Sequence, residues 1–395
     1  MLDAKIQSSI HWFQSWLSQA KTTNPDNLLN KPPEEIIQEF SQKLDQLSPP
    51  LEYRTTIQET LTSALADWQS NLTSANSLVI LGRSVEPIAQ IIQESLADEL
   101  SKSLQIIHPL ALCKRSPDCS SLKTAISEAF SSETQSQSAD YGGDPNAELT
   151  QRQTLVVIPC LAQCFLRCIE GWESIEFLQN AVVKDKSRFW LIGCNYSAWT
   201  FLDQVCQVSA YLEQVQPLPK LKGDALQKWL APVTQELAAE DSDADTNLAY
   251  CKSLASLASG VSSVAAQLWL QALRIRAADI PDAVSESKPA LTPQGVTLEI
   301  PVNLQQTKPI LPSLPDLTAT DRYLLHSLLL HGQMTRTDLA LSLGESEQLV
   351  RSRVQMLQRA GVIVQQQDQL NIYPAYYPSL KTELINNNFL LGEES

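Results

Sequence analysis

Gly82 closes the apolar run SLVILG (Ser77–Gly82), and the residues after it, RSVEPIAQII, stand where a phosphate-cradling loop would sit. A loop of the form G-x-x-x-x-G-K-[ST] uses its backbone N–H groups to surround phosphates, its lysine to reach the terminal ones and its hydroxyl to hold Mg²⁺. Counted from Gly82, the second glycine position falls on Pro87, the lysine on Ile88 and the hydroxyl on Ala89. Proline removes a backbone donor, and isoleucine removes the cation. Standard phosphate binding is therefore excluded for this loop. Gly82 fits either a remnant of it or an ordinary turn residue at a strand–helix junction.

Other reactive side chains form no better constellation. Cys160, Cys164 and Cys168 recur every four residues, which predicts one shared helical face. No histidine lies between Cys119 and His326 to complete a metal site, and His108, Cys113 and Cys119 lack a C-x-x-C pair. Small buried thiols account for them better than zinc does. No cofactor and no catalytic residue is expected. Trp172, Trp190, Trp199, Trp229 and Trp269 lie in apolar stretches and read as core.

Composition narrows the classes. The chain has 395 residues, 43% hydrophobic and 18% charged, which suits two or three domains with real cores. With 29 basic against 44 acidic side chains the net charge is −15, so a large nucleic-acid footprint is excluded. Eight cysteines without paired extracellular spacing fit a reducing compartment, and the amphipathic start MLDAKIQSSIHWFQSW does not read as a signal peptide. The expected location is cytoplasmic. The segment 254–273 is uncharged over the length of a membrane span, but its four serines, two glutamines and glycine predict a buried helical pair and no span.

The elements that must position these residues follow from periodicity. Residues 1–72 read as helices, with Trp12, Phe13, Trp16 and Leu17 on the first, Ile36, Ile37, Phe40 and Leu44 on the second, and Ile57, Leu61, Leu65 and Trp68 on the third. Residues 73–216 read as an α/β domain with buried strands at SLVILG, LQIIHPL, TLVVIP and RFWLIGCN. Helices between them predict a parallel sheet covered on both faces. Within it, 114–153 is polar and Ser-rich and is expected to be a mobile insertion. Residues 217–278 predict a helical lid, and 279–316, with seven prolines, a linker holding a strand-like island VTLEIPV. A compact module at 317–378 and a tail at 379–395 complete the chain.

This order of parts resembles an AAA+ P-loop ATPase of the origin-recognition-initiator type, over roughly residues 75–395. The resemblance implies a P-loop NTPase-like fold. It also implies a dead site. The acids that hold Mg²⁺ and activate water at the end of the Walker B strand fall on Pro159 and Cys160 of TLVVIPCLAQ. The sensor-1 polar residue is kept as Asn195, which fits a ligand contact or a satisfied polar cap at a strand end. After the lid glycine Gly260 come Val261, Ser262 and Ser263, with no sensor-2 arginine. The resemblance thus implies a catalytically inactive regulatory or scaffolding protein, not an enzyme.

The module at 317–378 predicts three helices and a two-stranded hairpin and is similar to a winged helix-turn-helix of the MarR-like regulators. LALSLG, LQRAGVI and the wing carry the likeness. In a DNA-binding member the third helix enters the major groove, and here it would offer Arg351, Arg353 and Arg359. The wing QQQDQ has no basic residue. Over residues 317–395 six basic side chains face eight acidic ones, a net −2. A protein partner is the expectation, and a transcription regulator that reads DNA is the alternative.

Overall fold

The computed structural model describes residues 29–96, 103–110, 119–134, 152–169, 171–234, 244–276 and 304–392. The first expected helix, the island VTLEIPV and the acidic stretch 235–243 lie outside them. Prolines open the first two helices. After Pro32-Pro33, α1 (Glu34–Asp45) carries two acids in its first turn and buries Ile36, Phe40 and Leu44, one per turn. After Pro49-Pro50, α2 (Leu51–Ser70) buries Tyr53, Ile57, Leu61, Leu65 and Trp68 in the same rhythm.

The α/β body is built on one five-stranded sheet. Its strands are β2 (Ser77–Gly82), β3 (Gln105–Ile107), β4 (Thr154–Ile158), β5 (Arg188–Asn195) and β6 (Gln214–Pro217), preceded in the chain by β1 (Leu29–Asn30). The spatial order is β3-β4-β5-β2-β6, and every neighbouring pair is parallel. All six residues of β2 are buried because it is sandwiched on both faces and bonded on both edges. Leu78 and Ile80 join the core that holds α2 and α3 (Ile88–Ser95), while Val79 and Leu81 join the opposite core. That second core is covered by α4 (Cys119–Thr134), α5 (Glu173–Lys184) and α6 (Tyr196–Cys206). This is the α/β, P-loop NTPase-like fold, with helical additions.

The segment expected to form a helical lid, hereafter the lid, holds α7 (Gly223–Thr234), α8 (Ala244–Leu257) and α9 (Ser262–Gln271). The α8–α9 pair bends by 119° at the break, so the uncharged segment is divided between the end of α8, which buries Leu254 but leaves Ser256 exposed, and the buried α9. Among the described residues no single helix is long and apolar enough to cross a membrane. The bend needs Gly260, whose φ is +73° and whose added Cβ would lie 2.7 Å from the Lys220 Cβ. β7 (Leu273–Arg276) then forms a small antiparallel sheet with β1 and β8 (Leu304–Gln306).

The C-terminal module holds α10 (Ala319–His331), α11 (Arg336–Leu343), α12 (Glu347–Arg359) and the hairpin β9 (Ile363–Gln366) and β10 (Gln369–Ile372). Capping boxes at Thr318/Asp321 and Thr335/Asp338 fix the starts of α10 and α11.

Two expectations need correction. Inside the segment expected to be mobile, Cys119–Thr134 is helical, and Leu122 and Ile126 are buried at i, i+4 spacing. The residues after Pro159 make only a short 3₁₀ turn (Leu161–Gln163) and then irregular chain, so Cys160, Cys164 and Cys168 do not share a helical face. Backbone bonds between Leu166 and Gly171, and between Cys168 and Gly171, close that chain into a turn before α5. The tail contains α13 (Tyr377–Asn386), which packs Leu380 and Leu384 into the core. Tyr323 on α10 is 52% exposed and packs edge-on against Phe389.

Candidate functional site

The loop at 83–87 connects the C-terminal end of β2 to α3, at the sheet edge where ligands of open α/β folds bind. Ile88 and Ala89 are buried at the start of α3, and the Ile88 Cδ1 lies 3.2 Å from where a Cβ on Gly82 would stand. The polar groups of the loop turn inward. The Glu86 carboxylate is 6% exposed. Its Oε1 accepts the Tyr53 hydroxyl at 2.8 Å and the Ser262 N–H at 2.7 Å, and its Oε2 accepts the Ser262 hydroxyl at 2.7 Å. Burial and the adjacent Glu86 carboxylate hold the Tyr53 phenol well above its ordinary range, so it stays a donor. The Arg83 guanidinium donates to the Leu218 and Pro219 carbonyls and lies over the Tyr196 ring. Ser84 and Ser197 share a hydroxyl–hydroxyl bond of 2.8 Å.

At the ends of β4 and β5, backbone takes the place of side-chain chemistry. A Cβ on Gly193 would lie 2.3 Å from the Pro159 carbonyl oxygen, so glycine is what allows the two segments to approach. Asn195 caps α6 by accepting the Ala198 N–H at 2.8 Å, and its amide donates to the Leu330 carbonyl at 3.1 Å. Its hydrogen bonds are those of a satisfied cap.

The C-terminal module seats against the same edge. Gln163 donates to the His331 carbonyl at 2.8 Å. The His331 Nδ1 faces the Ala162 carbonyl and so carries the proton, leaving Nε2 to accept the Arg167 N–H at 3.3 Å. His326 has the opposite tautomer. Its Nε2–H donates to the Leu390 carbonyl at 3.0 Å, and its Nδ1 faces the Arg167 guanidinium at 3.4 Å.

A cavity of about 640 Å³ remains between loop, lid and module, lined by Ser84, Glu86, Pro87, Asn195, Ser262 and His331 among others. None of its described lining residues is lysine or arginine, while Asp45 and Glu86 supply carboxylates. Burial raises the pKa of Asp45. Among the described residues no group of three or more His, Cys, Asp or Glu is placed to hold a metal ion. Burial drives the Cys194 thiol far above its ordinary range, with Cys160 and Cys164 adding to the rise, which leaves it a poor nucleophile.

The six residues read from the sequence, Gly82, Pro87, Ile88, Ala89, Pro159 and Asn195, thus converge on one sheet edge. Tyr53, Glu86 and Ser262 were missed. The available signal was a lone acid, Glu86, set among apolar residues just before a proline.

The three arginines of α12 separate. Arg351 and Arg359 are exposed, whereas Arg353 lies 3.8 Å from the fully buried Asp321 and so serves the fold.

No protein-family model and no curated protein matches the chain. Among solved structures the chain is similar to the Aeropyrum pernix ORC2 protein in its ADPNP–ADP complexes, at 11% identity and a TM-score of 0.40, covering 91% of this chain and 99% of that one. It is also similar to Cdc6p from Pyrobaculum aerophilum, at 12% identity and a TM-score of 0.33, covering 90% and 96%. The RuvB Holliday junction branch migration motor of Thermotoga maritima gives 14% identity and a TM-score of 0.32, covering 83% and 94%. Likenesses this distant say nothing of ligand or role. The fold assignment rests on the order and direction of the strands.

Proposed function

We propose that the chain is a catalytically inactive, AAA+-like regulatory or scaffolding protein that works through protein–protein contacts, with its C-terminal module acting as a winged helix. The observation that carries this reading is the content of the loop. Where phosphate binding calls for a cation and open N–H groups, the loop has a buried carboxylate and a proline. Its one cation, Arg83, is buried against the Leu218 and Pro219 carbonyls, and α3 begins with two buried apolar side chains. Moving a multiply charged phosphate into a cavity whose described lining offers carboxylates and no lysine or arginine is strongly unfavourable.

The surface of the C-terminal module supports the same reading. Its third helix exposes Leu349 and Met356, apolar side chains suited to a protein surface, and its wing exposes Gln365, Gln366, Gln367 and Asp368. The DNA-reading alternative is favoured by one observation, the exposure of Arg351 and Arg359 on that helix.

A photo-crosslinking amino acid at position 356, introduced into the full chain in its native cells, tests the choice. The proposed function predicts adducts to protein. Adducts to DNA would favour the transcription-regulator reading.

A further inference from the structure

We propose that Glu86 is a built-in clamp that holds the helical lid and α2 on the α/β body without any bound ligand. The first turn of a helix leaves backbone N–H groups without partners and carries partial positive charge. At α9 the N-cap residue is Val261, which has no side-chain acceptor. The acceptor comes instead from Glu86, 176 residues earlier in the chain, which takes both the N–H and the hydroxyl of Ser262. A carboxylate in that place is the favourable partner for a helix N-terminus, and its bonds are charge-assisted.

The geometry joins three elements at one side chain. Tyr53 brings in α2, Ser262 brings in α9, and the loop, which follows β2 directly in the chain, is itself closed by the Glu86 N–H bonded to the Arg83 carbonyl at 2.9 Å. A second strut leaves the same loop. Arg83 grips the Leu218 and Pro219 carbonyls, where the chain enters the lid. The loop therefore holds the lid at its entry and at its last helix. In a nucleotide-driven machine a phosphate between loop and lid would be gained and lost, whereas a side chain is permanent. The lid is fixed in one closed arrangement. This clamp is independent of what the winged helix contacts, so it and the proposed function fail separately.

Hydrogen exchange followed by mass spectrometry on the free, full-length chain tests it. Glu86→Gln keeps the shape but replaces one acceptor with a donor that faces the Ser262 donors. Amides of residues 262–266 and 220–226 should exchange about 10- to 100-fold faster than in the parent, while those of β4 and β5 keep their rates. Should this variant fail to yield folded protein, Ser262→Ala and Tyr53→Phe should give the same lid-confined acceleration, about 3- to 10-fold. Ser262→Ala removes the hydroxyl bond to Glu86, and Tyr53→Phe removes the bond to Glu86 and a longer one of 3.5 Å to the Gly260 carbonyl. Unchanged exchange in the lid, or acceleration spread evenly over sheet and lid, would overturn the clamp.

Discussion

Asn195 binds two elements at once: its Oδ1 accepts the Ala198 N–H at the start of α6, and its Nδ2 donates to the Leu330 carbonyl at the end of α10. Asn195→Asp isolates the second bond. Aspartate caps a helix as well as asparagine does, but its carboxylate would face the Leu330 carbonyl without a proton to give. A loss of about 1–3 kcal/mol in urea unfolding is expected. Asn195→Ala should cost at least as much, because it removes the cap as well. An Asn195→Asp chain as stable as the parent would show that the contact with α10 does not contribute.

His326 makes the contact between body and module sensitive to acid. Burial first, with the facing Arg167 guanidinium adding to it, lowers its pKa from 6.5 to about 4 against the opposing effect of the Leu390 carbonyl bond. Between these values the unfolded chain holds a proton that the folded chain excludes. The stabilisation is therefore complete above about pH 6.5 and is lost as the pH falls through about 4, on the order of 3 kcal/mol in all. His326→Gln should flatten the fall in urea midpoint between about pH 7.5 and about pH 4.5 relative to the parent. Parallel curves would contradict this.

The helix Cys119–Thr134 contributes to the second core through Ile126, which is 1% exposed. Ile126→Ala should cost about 2–4 kcal/mol in urea unfolding, because the space it fills would be left as a cavity. A change under about 0.5 kcal/mol would return this segment to the mobile reading given by its composition.

Much of the architecture was legible because it rests on period and punctuation. The runs SLVILG and RFWLIGCN are apolar on both faces of the sheet, and the double prolines before Glu34 and Leu51 mark helix starts. The helix around Leu122, Ile126 and Phe130 was hidden because serines dominate its composition while only one side chain per turn reaches the core. The even spacing of Cys160, Cys164 and Cys168 suggested a helix that the irregular backbone after Pro159 does not form. At the site, the positions that lack phosphate-binding side chains could be counted from Gly82. What fills the space could not, because the bonds of Glu86 to Tyr53 and Ser262 join residues far apart in the chain.

Arg353 and its neighbours on α12 should differ in kind. Arg353→Ala leaves the buried Asp321 without its cation and should destabilise the chain by about 1–3 kcal/mol. Arg351→Ala and Arg359→Ala should leave stability within about 0.5 kcal/mol. In an anisotropy titration against a random-sequence DNA pool at about 150 mM salt, the full chain should select no motif. A defined motif, lost on Arg351→Ala, would contradict the protein-contact reading.

Isothermal calorimetry with Mg-ATP on the purified full-length chain tests the central claim, that the sheet edge at Gly82 has lost its nucleotide. The buried Glu86, the Pro87 backbone and a described lining without lysine or arginine predict no saturable heat up to about 1 mM nucleotide, the weak end of ordinary affinities. Saturable binding near 1 μM or tighter, on the order of 8 kcal/mol, would contradict it, the more so if Glu86→Gln altered the affinity.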